Sequence, residues 1–122
     1  MIKIYHNNVC SKSRAALDLL KAYTTELDVQ EYITDTPDKE ELTLLLDMLQ
    51  LKPIELIRRN ETVFEEKFKD VLYTDDEWID IMLQYPVLIE RPIVVRNGKA
   101  VIGRPIERVI DLLRDGGERD LT

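Results

Sequence analysis

Apolar and polar residues change their spacing along the chain, and each change marks an element. Ile2 and Ile4 alternate with Lys3 and Tyr5, the period of a short strand. From Ser11 to about Tyr23 the period turns helical, with Ala15, Ala16, Leu19, Leu20 and Tyr23 on one stripe. A second strand is predicted over about 27–33. Thr36-Pro37 with Asp38, Glu40 and Glu41 has the composition of a helix start: a capping hydroxyl, a proline at the first helical position, and acids near the positive end of the helix dipole. Leu42, Leu45, Leu46 and Leu49 continue it at helical spacing. Residues 53–83 read as shorter helices: Ile54 and Ile57 in one, Phe64 and Phe68 in the next, Trp78, Ile79 and Met82 in a third. The run Ile93-Val94-Val95 is joined to Lys99 through Ile102 by Asn97-Gly98, a pair that suits a two-residue hairpin turn. Pro105 is expected to open a last helix carrying Ile106, Val109, Ile110 and Leu113 on one face. Gly116-Gly117 is expected to end it and leave 118–122 as a short C-terminal tail.

The order is strand, helix, strand, helical insert, hairpin, helix. A strand-helix-strand start implies a parallel pair, and a closing hairpin adds antiparallel strands to the same sheet. The expected fold is therefore α/β, a thioredoxin-like mixed sheet flanked by helices. The expected domain organisation is one domain over 1–117, with a helical insert at about 53–83. The 122 residues, 44% of them hydrophobic, suit one domain with a real core.

Charge and cysteine content narrow the function. The net charge of −7 argues against non-specific binding to nucleic acid or to an anionic membrane, both of which need an excess of lysine and arginine. A small anion would need arginines gathered in space against that balance. No apolar run approaches the roughly 20 residues of a membrane helix, and the first residues lack the apolar segment of a secretory signal, so the expected location is cytoplasmic. No His, Cys, Asp and Glu cluster has metal-ligand spacing, and no bound metal or cofactor is expected.

The one cysteine, Cys10, follows the first strand and precedes the first helix, where free backbone N–H groups face a ligand. An ordinary thiol, with a pKa of about 8.5, is only a few per cent ionised at neutral pH. Lowering it by two pH units takes roughly 2.7 kcal/mol, while a helix terminus supplies about 0.3–1 and at best about 2. Cationic side chains must supply the rest. Cys10-Ser11-Lys12-Ser13 is a C-x-x-S, so a dithiol cycle is excluded, and Arg14 stands too close for the C-x5-R phosphate loop. A lone reactive cysteine must be regenerated by a thiol from outside.

Four strings then carry a family resemblance: Tyr5-His6-Asn7-x-x-Cys10-x-x-Ser13-Arg14, Leu56-Ile57-Arg58-Arg59-Asn60, Arg91-Pro92-Ile93-Val94-Val95 and Gly103-Arg104-Pro105. In this order and spacing the chain resembles the glutaredoxin-coupled arsenate reductases, the ArsC family, over about residues 2–114. The resemblance implies that Cys10 attacks arsenate or a similar oxyanion, and that Arg58, Arg91 and Arg104 hold the oxyanion and stabilise the thiolate. Guanidinium forks suit a tetrahedral anion because they stay charged and offer paired donors. It also implies glutathione as reducing cosubstrate, glutaredoxin as partner, and a cis-proline corner at Arg91-Pro92. His6, Asn7, Ser13 and Arg14 are auxiliary candidates, to tune the sulfur or shape its loop; turn formation, capping and surface solvation explain the last three nearly as well. Arg59 is expected at the surface. Asn8 departs from the proline that many relatives carry before the cysteine.

Two rivals stand beside arsenate reduction. One is a Spx-like regulator that binds RNA polymerase, disfavoured by Ser13 in place of a second cysteine and by the three motif arginines. The other is a glutathione-dependent thiol enzyme with another substrate.

Overall fold

The computed structural model describes residues 1–120, those from 115 onward by backbone alone. The described chain divides into two compact units, one made of residues 1–35 and of those from Arg91 onward, the other of Thr36–Glu90.

The first unit holds a four-stranded sheet: β1 (Ile2–His6), β2 (Leu27–Glu31), β3 (Ile93–Arg96) and β4 (Lys99–Ile102), in the order β2-β1-β3-β4. β1 and β2 are parallel, with Ile4 opposite Val29 and His6 opposite Glu31. β1 and β3 run antiparallel with Ile4 opposite Val94, and β3 and β4 form the predicted hairpin. Asn97 and Gly98 both take positive φ, 52° and 75°, as a type I′ turn demands. The mixed, thioredoxin-like sheet inferred from the element order is thus present.

α1 (Ser11–Tyr23) keeps its predicted bounds, while α5 (Glu107–Asp120) does not. Pro105 lies outside α5, in a turn closed by the Arg108 N–H on the Pro105 carbonyl. The helix also runs through Gly116-Gly117 to Asp120, because glycine costs a helix only about 1 kcal/mol per residue and no proline follows to stop it. The expected tail at 118–122 is therefore helical as far as 120, and 121–122 lie outside the described residues. Ile2, Ile4 and Val94 from the sheet meet Ala16 and Leu20 of α1 and Val109, Leu112 and Leu113 of α5 in one buried cluster. Alternation along β1 puts Ile2 and Ile4 on the same face, so both helices cover that face. Arg96, buried at the end of β3, donates to the Leu113 carbonyl and lies over the Tyr23 ring.

The second unit contains α2 (Lys39–Leu49), α3 (Thr62–Lys67) and α4 (Asp75–Gln84), with 3-10 turns at Pro53–Leu56 and Pro86–Leu88. α2 begins two residues later than the Thr36-Pro37 signal implied. Asp38 caps it instead, its carboxylate accepting from the Glu41 N–H at 2.8 Å, a stronger N-cap than a threonine two residues upstream. Thr74 and Glu77 close a reciprocal capping box on α4. Lys39 joins Asp76 and Asp80 of α4 at 2.9 and 3.0 Å. Residues 53–83 hold three helical segments, but Ile57 and Phe68 fall just past the ends of the first two, Ile57 in extended conformation and paired with Ile89 in an isolated antiparallel bridge.

Candidate functional site

The sulfur of Cys10 sits where β1 hands over to α1. The loop 7–10 is closed by its own backbone: the Cys10 N–H donates to the Asn7 carbonyl at 3.0 Å, and the Asn7 side-chain oxygen accepts from the Val9 N–H at 3.2 Å. Cys10 is the N-cap residue of α1, in extended conformation with φ −95° and ψ 121°, and its carbonyl takes the first helical bond from the Arg14 N–H. That conformation points the first free N–H groups of the helix at the sulfur.

Burial pushes the Cys10 thiol up, since Cys10 is only 9% exposed. Four donors oppose this: the Ser13 N–H, the Arg91 guanidinium, the Lys12 N–H and the charge of Arg104, and together they prevail, so the thiol is lowered from its ordinary value. Arg104 Nη2 lies 3.1 Å from Sγ. Its position is fixed from the other side, because Arg104 Nε donates to the Arg91 carbonyl at 2.7 Å and the Gly103 N–H donates to the Pro92 carbonyl at 2.8 Å. Gly103 permits this approach: a Cβ there would meet Pro92 Cγ at 2.9 Å and Val109 Cγ2 at 3.0 Å. The Arg91-Pro92 peptide is cis, as the resemblance implied, and so is Arg104-Pro105.

Arg91 is held by fewer bonds than its charge could make. Burial disfavours its charge, but hydrogen bonds to Cys10 and Tyr32 outweigh that and keep its pKa above the ordinary value. Its Nε and Nη1 are buried with no hydrogen-bond partner. Buried N–H donors of a cation are costly to leave unpaired, and a pair of them beside a sulfur is the donor set an oxyanion would satisfy.

A second layer fixes the loop. His6 and Ser13 are both buried, with His6 Nδ1 2.6 Å from Ser13 Oγ. Ser13 Oγ also accepts from the Asn7 N–H at 3.0 Å, so one hydroxyl ties the His6 ring and the loop backbone together. His6 Nε2 faces Asn8 Oδ1 at 3.4 Å and Glu31 at 3.8 Å. Arg14 is exposed and donates from Nη1 to the Asn8 carbonyl at 3.0 Å, which makes it a brace for the loop.

Cys10, Arg91 and Arg104 are thus brought together, with His6, Asn7 and Ser13 behind them. Arg58 belongs to the second unit. There its Nη1 donates to Glu90 at 2.6 Å, Glu61 lies 3.8 Å from its Nε, and that buried Nε makes no hydrogen bond. Arg59 is exposed, as expected. Sequence reasoning missed Tyr32, fully buried and bonded to Arg91. The signal for it was positional. The β1–β2 register sets Tyr32 one step past the Glu31–His6 pair, at the carboxyl ends of parallel strands, the edge where α/β sheets place their sites.

Among the described residues no group of His, Cys, Asp and Glu side chains could hold a metal ion, and no helix is long and apolar enough to cross a membrane.

Comparison with known proteins agrees with this geometry. A family model described as the ArsC family matches residues 5–112. An uncharacterized Escherichia coli protein, YfgD, is 42% identical over 92% of this chain and 96% of its own length. An arsenate reductase of Acidiphilium multivorum is 38% identical over 93% of this chain and 82% of its own. The solved structure of an arsenate reductase from Vibrio cholerae superposes with a TM-score of 0.84 at 40% identity, covering 90% of this chain and 95% of that one.

Proposed function

The chain belongs to the ArsC family, and from that premise we propose that it reduces arsenate to arsenite through the Cys10 thiolate, with glutathione and glutaredoxin as cytoplasmic reducing partners. One observation carries the reading: a thiol held below its ordinary pKa lies 3.1 Å from Arg104 and against Arg91, whose buried Nε and Nη1 have no partner.

The chemistry runs in three steps. The thiolate attacks arsenic, a sulfur–arsenic bond forms, and one oxygen leaves as water after protonation. Arg91 and Arg104 bind the remaining oxygens and offset the charge that gathers on them. Glutathione thiolate then supplies the second sulfur. Two electrons pass from the two sulfurs to arsenic, which leaves as arsenite while Cys10 is left in a mixed disulfide with glutathione. Glutaredoxin attacks the glutathione sulfur of that disulfide, takes the glutathionyl group and restores the Cys10 thiolate. We keep for Arg58 the role of third oxyanion cation that the family resemblance implies. His6, Asn7 and Ser13 are positioning residues that hold the loop.

Arsenite formation that requires arsenate, glutathione and glutaredoxin together tests the reading. Cys10→Ser is expected to abolish turnover. Full turnover in that variant overturns the mechanism, and arsenate protection of Cys10 from alkylation without turnover assigns the site to another oxyanion.

A further inference from the structure

A single cysteine must be met by a sulfur from outside, and the structure offers a place beside Cys10 for the molecule that brings it. A cavity of about 260 Å³ is lined by Lys12, Ala15, Gly103, Arg104, Ile106 and Glu107 among others. Cys10 does not line it, but two of its lining residues bond to Sγ, Lys12 through its backbone N–H and Arg104 through Nη2, so the cavity and the sulfur share neighbours. Its volume falls below the roughly 300–1,000 Å³ that encloses a whole drug-sized ligand, so it suits one arm of a molecule whose reacting end lies outside.

The lining decides which arm. Ala15 and Ile106 give it apolar walls, Lys12 is an exposed cation at the start of α1, and Glu107 is an exposed carboxylate at the start of α5. A cation and an anion on opposite elements match a group that carries both charges. We propose that this cavity is the thiol donor's subsite, selecting a small thiol with an amino-acid end whose carboxylate meets Lys12 and whose ammonium meets Glu107. The thiol sulfur then approaches Cys10 past Arg104. The inference rests on reading Cys10 as a nucleophile resolved by an outside thiol, and it names what that thiol must look like away from its sulfur.

The test avoids arsenate. Cys10 of the full chain is converted to its methyl disulfide, and loss of the methylthio group to glutathione or to 2-mercaptoethanol is timed by mass spectrometry, each rate corrected for thiolate fraction. Glutathione is expected to be about tenfold faster, with saturation, as a bound arm predicts. Lys12→Glu should lower the ratio of the two rates by about threefold to fivefold, the range of an exposed ion pair. Ala15→Phe fills the cavity without changing charge and should lower it by about tenfold. A wild-type ratio near one overturns the proposal, as does a ratio unchanged in Ala15→Phe, since an effect of Lys12→Glu alone would be long-range attraction. Folding of both variants is checked by circular dichroism, with Ala15→Leu as a milder filling should Ala15→Phe not fold. Arsenate protection of Cys10 against iodoacetamide is scored on the same wild-type preparation; its absence would count against the arsenate reading and leave the subsite measurement intact.

Discussion

Replacing Arg104 by alanine removes a guanidinium donor 3.1 Å from the Cys10 sulfur and leaves Arg91 as the other side-chain donor to it. A hydrogen bond to a charged group contributes about 1.5–3 kcal/mol. One decade of ionisation corresponds to about 1.4 kcal/mol, so the preference for thiolate should fall about 10- to 100-fold. Arg104 is half-buried, and solvent screening favours the lower end of that range. The sign follows from the cause: a cation stabilises the ionised sulfur, so its loss moves the titration of Cys10 upward, toward an ordinary thiol. Reactivity does not follow ionisation alone, because a thiolate of higher pKa is intrinsically more nucleophilic, with a Brønsted slope of about 0.4–0.5. Slightly less than half of the logarithmic loss is therefore returned. Below the titration midpoints of both proteins, Arg104→Ala should be alkylated about fourfold to twelvefold more slowly than wild type. Above both midpoints it should be about threefold to eightfold faster. The two rate profiles must cross. Iodoacetamide alkylation between pH 4 and pH 10, quenched and read by mass spectrometry, draws both curves, and Arg104→Lys should fall between them because it keeps the charge and loses the fork. Equal rates at every pH, or a variant slower by one constant factor throughout, would refute the electrostatic account of Cys10.

Three further outcomes are expected. Gly103→Val should destabilise the first unit by about 1–3 kcal/mol in urea denaturation, because its side chain has no room beside Pro92 and Val109. Ser13→Ala leaves the Asn7 N–H and the His6 ring nitrogen without their buried partner and should cost about 2–3 kcal/mol, measured the same way, while the rate of Cys10 alkylation also falls. Leu20→Ala opens a cavity at a fully buried point of the α1 stripe and should cost about 2–5 kcal/mol, with the alkylation pH profile of Cys10 retained.

Local chemistry wrote the clearest features into the sequence. α1 has its predicted bounds because a helical stripe and a loop with an N-cap position both point to Ser11 as its first residue. The hairpin was legible for the same kind of reason, since few residues other than Asn-Gly accept two successive positive φ values. Proline misled twice. Thr36-Pro37 and Pro105 both suggested a first helical position, yet the helices begin at Lys39 and Glu107, where Asp38 caps one and a turn precedes the other. Cys10, Arg91 and Arg104 came through their motifs. What brings them together is distant in sequence: the bond between Arg104 and the Arg91 carbonyl spans 13 residues, and that between Arg104 and the sulfur spans 94. Tyr32 escaped for the same reason, because nothing adjacent in the chain distinguishes an aromatic that meets Arg91 from one that merely ends a strand.

The lacing of Asn7, His6 and Ser13 has a kinetic consequence. Freezing a backbone residue costs about 1–2 kcal/mol, and for this loop the cost is met when the protein folds, through the Ser13 hydroxyl that joins the loop to the helix behind it. Under the proposed chemistry an oxyanion would therefore meet a loop already laced in place, so its capture should be a single-step encounter whose speed depends on ionic strength rather than on a slow rearrangement of that loop.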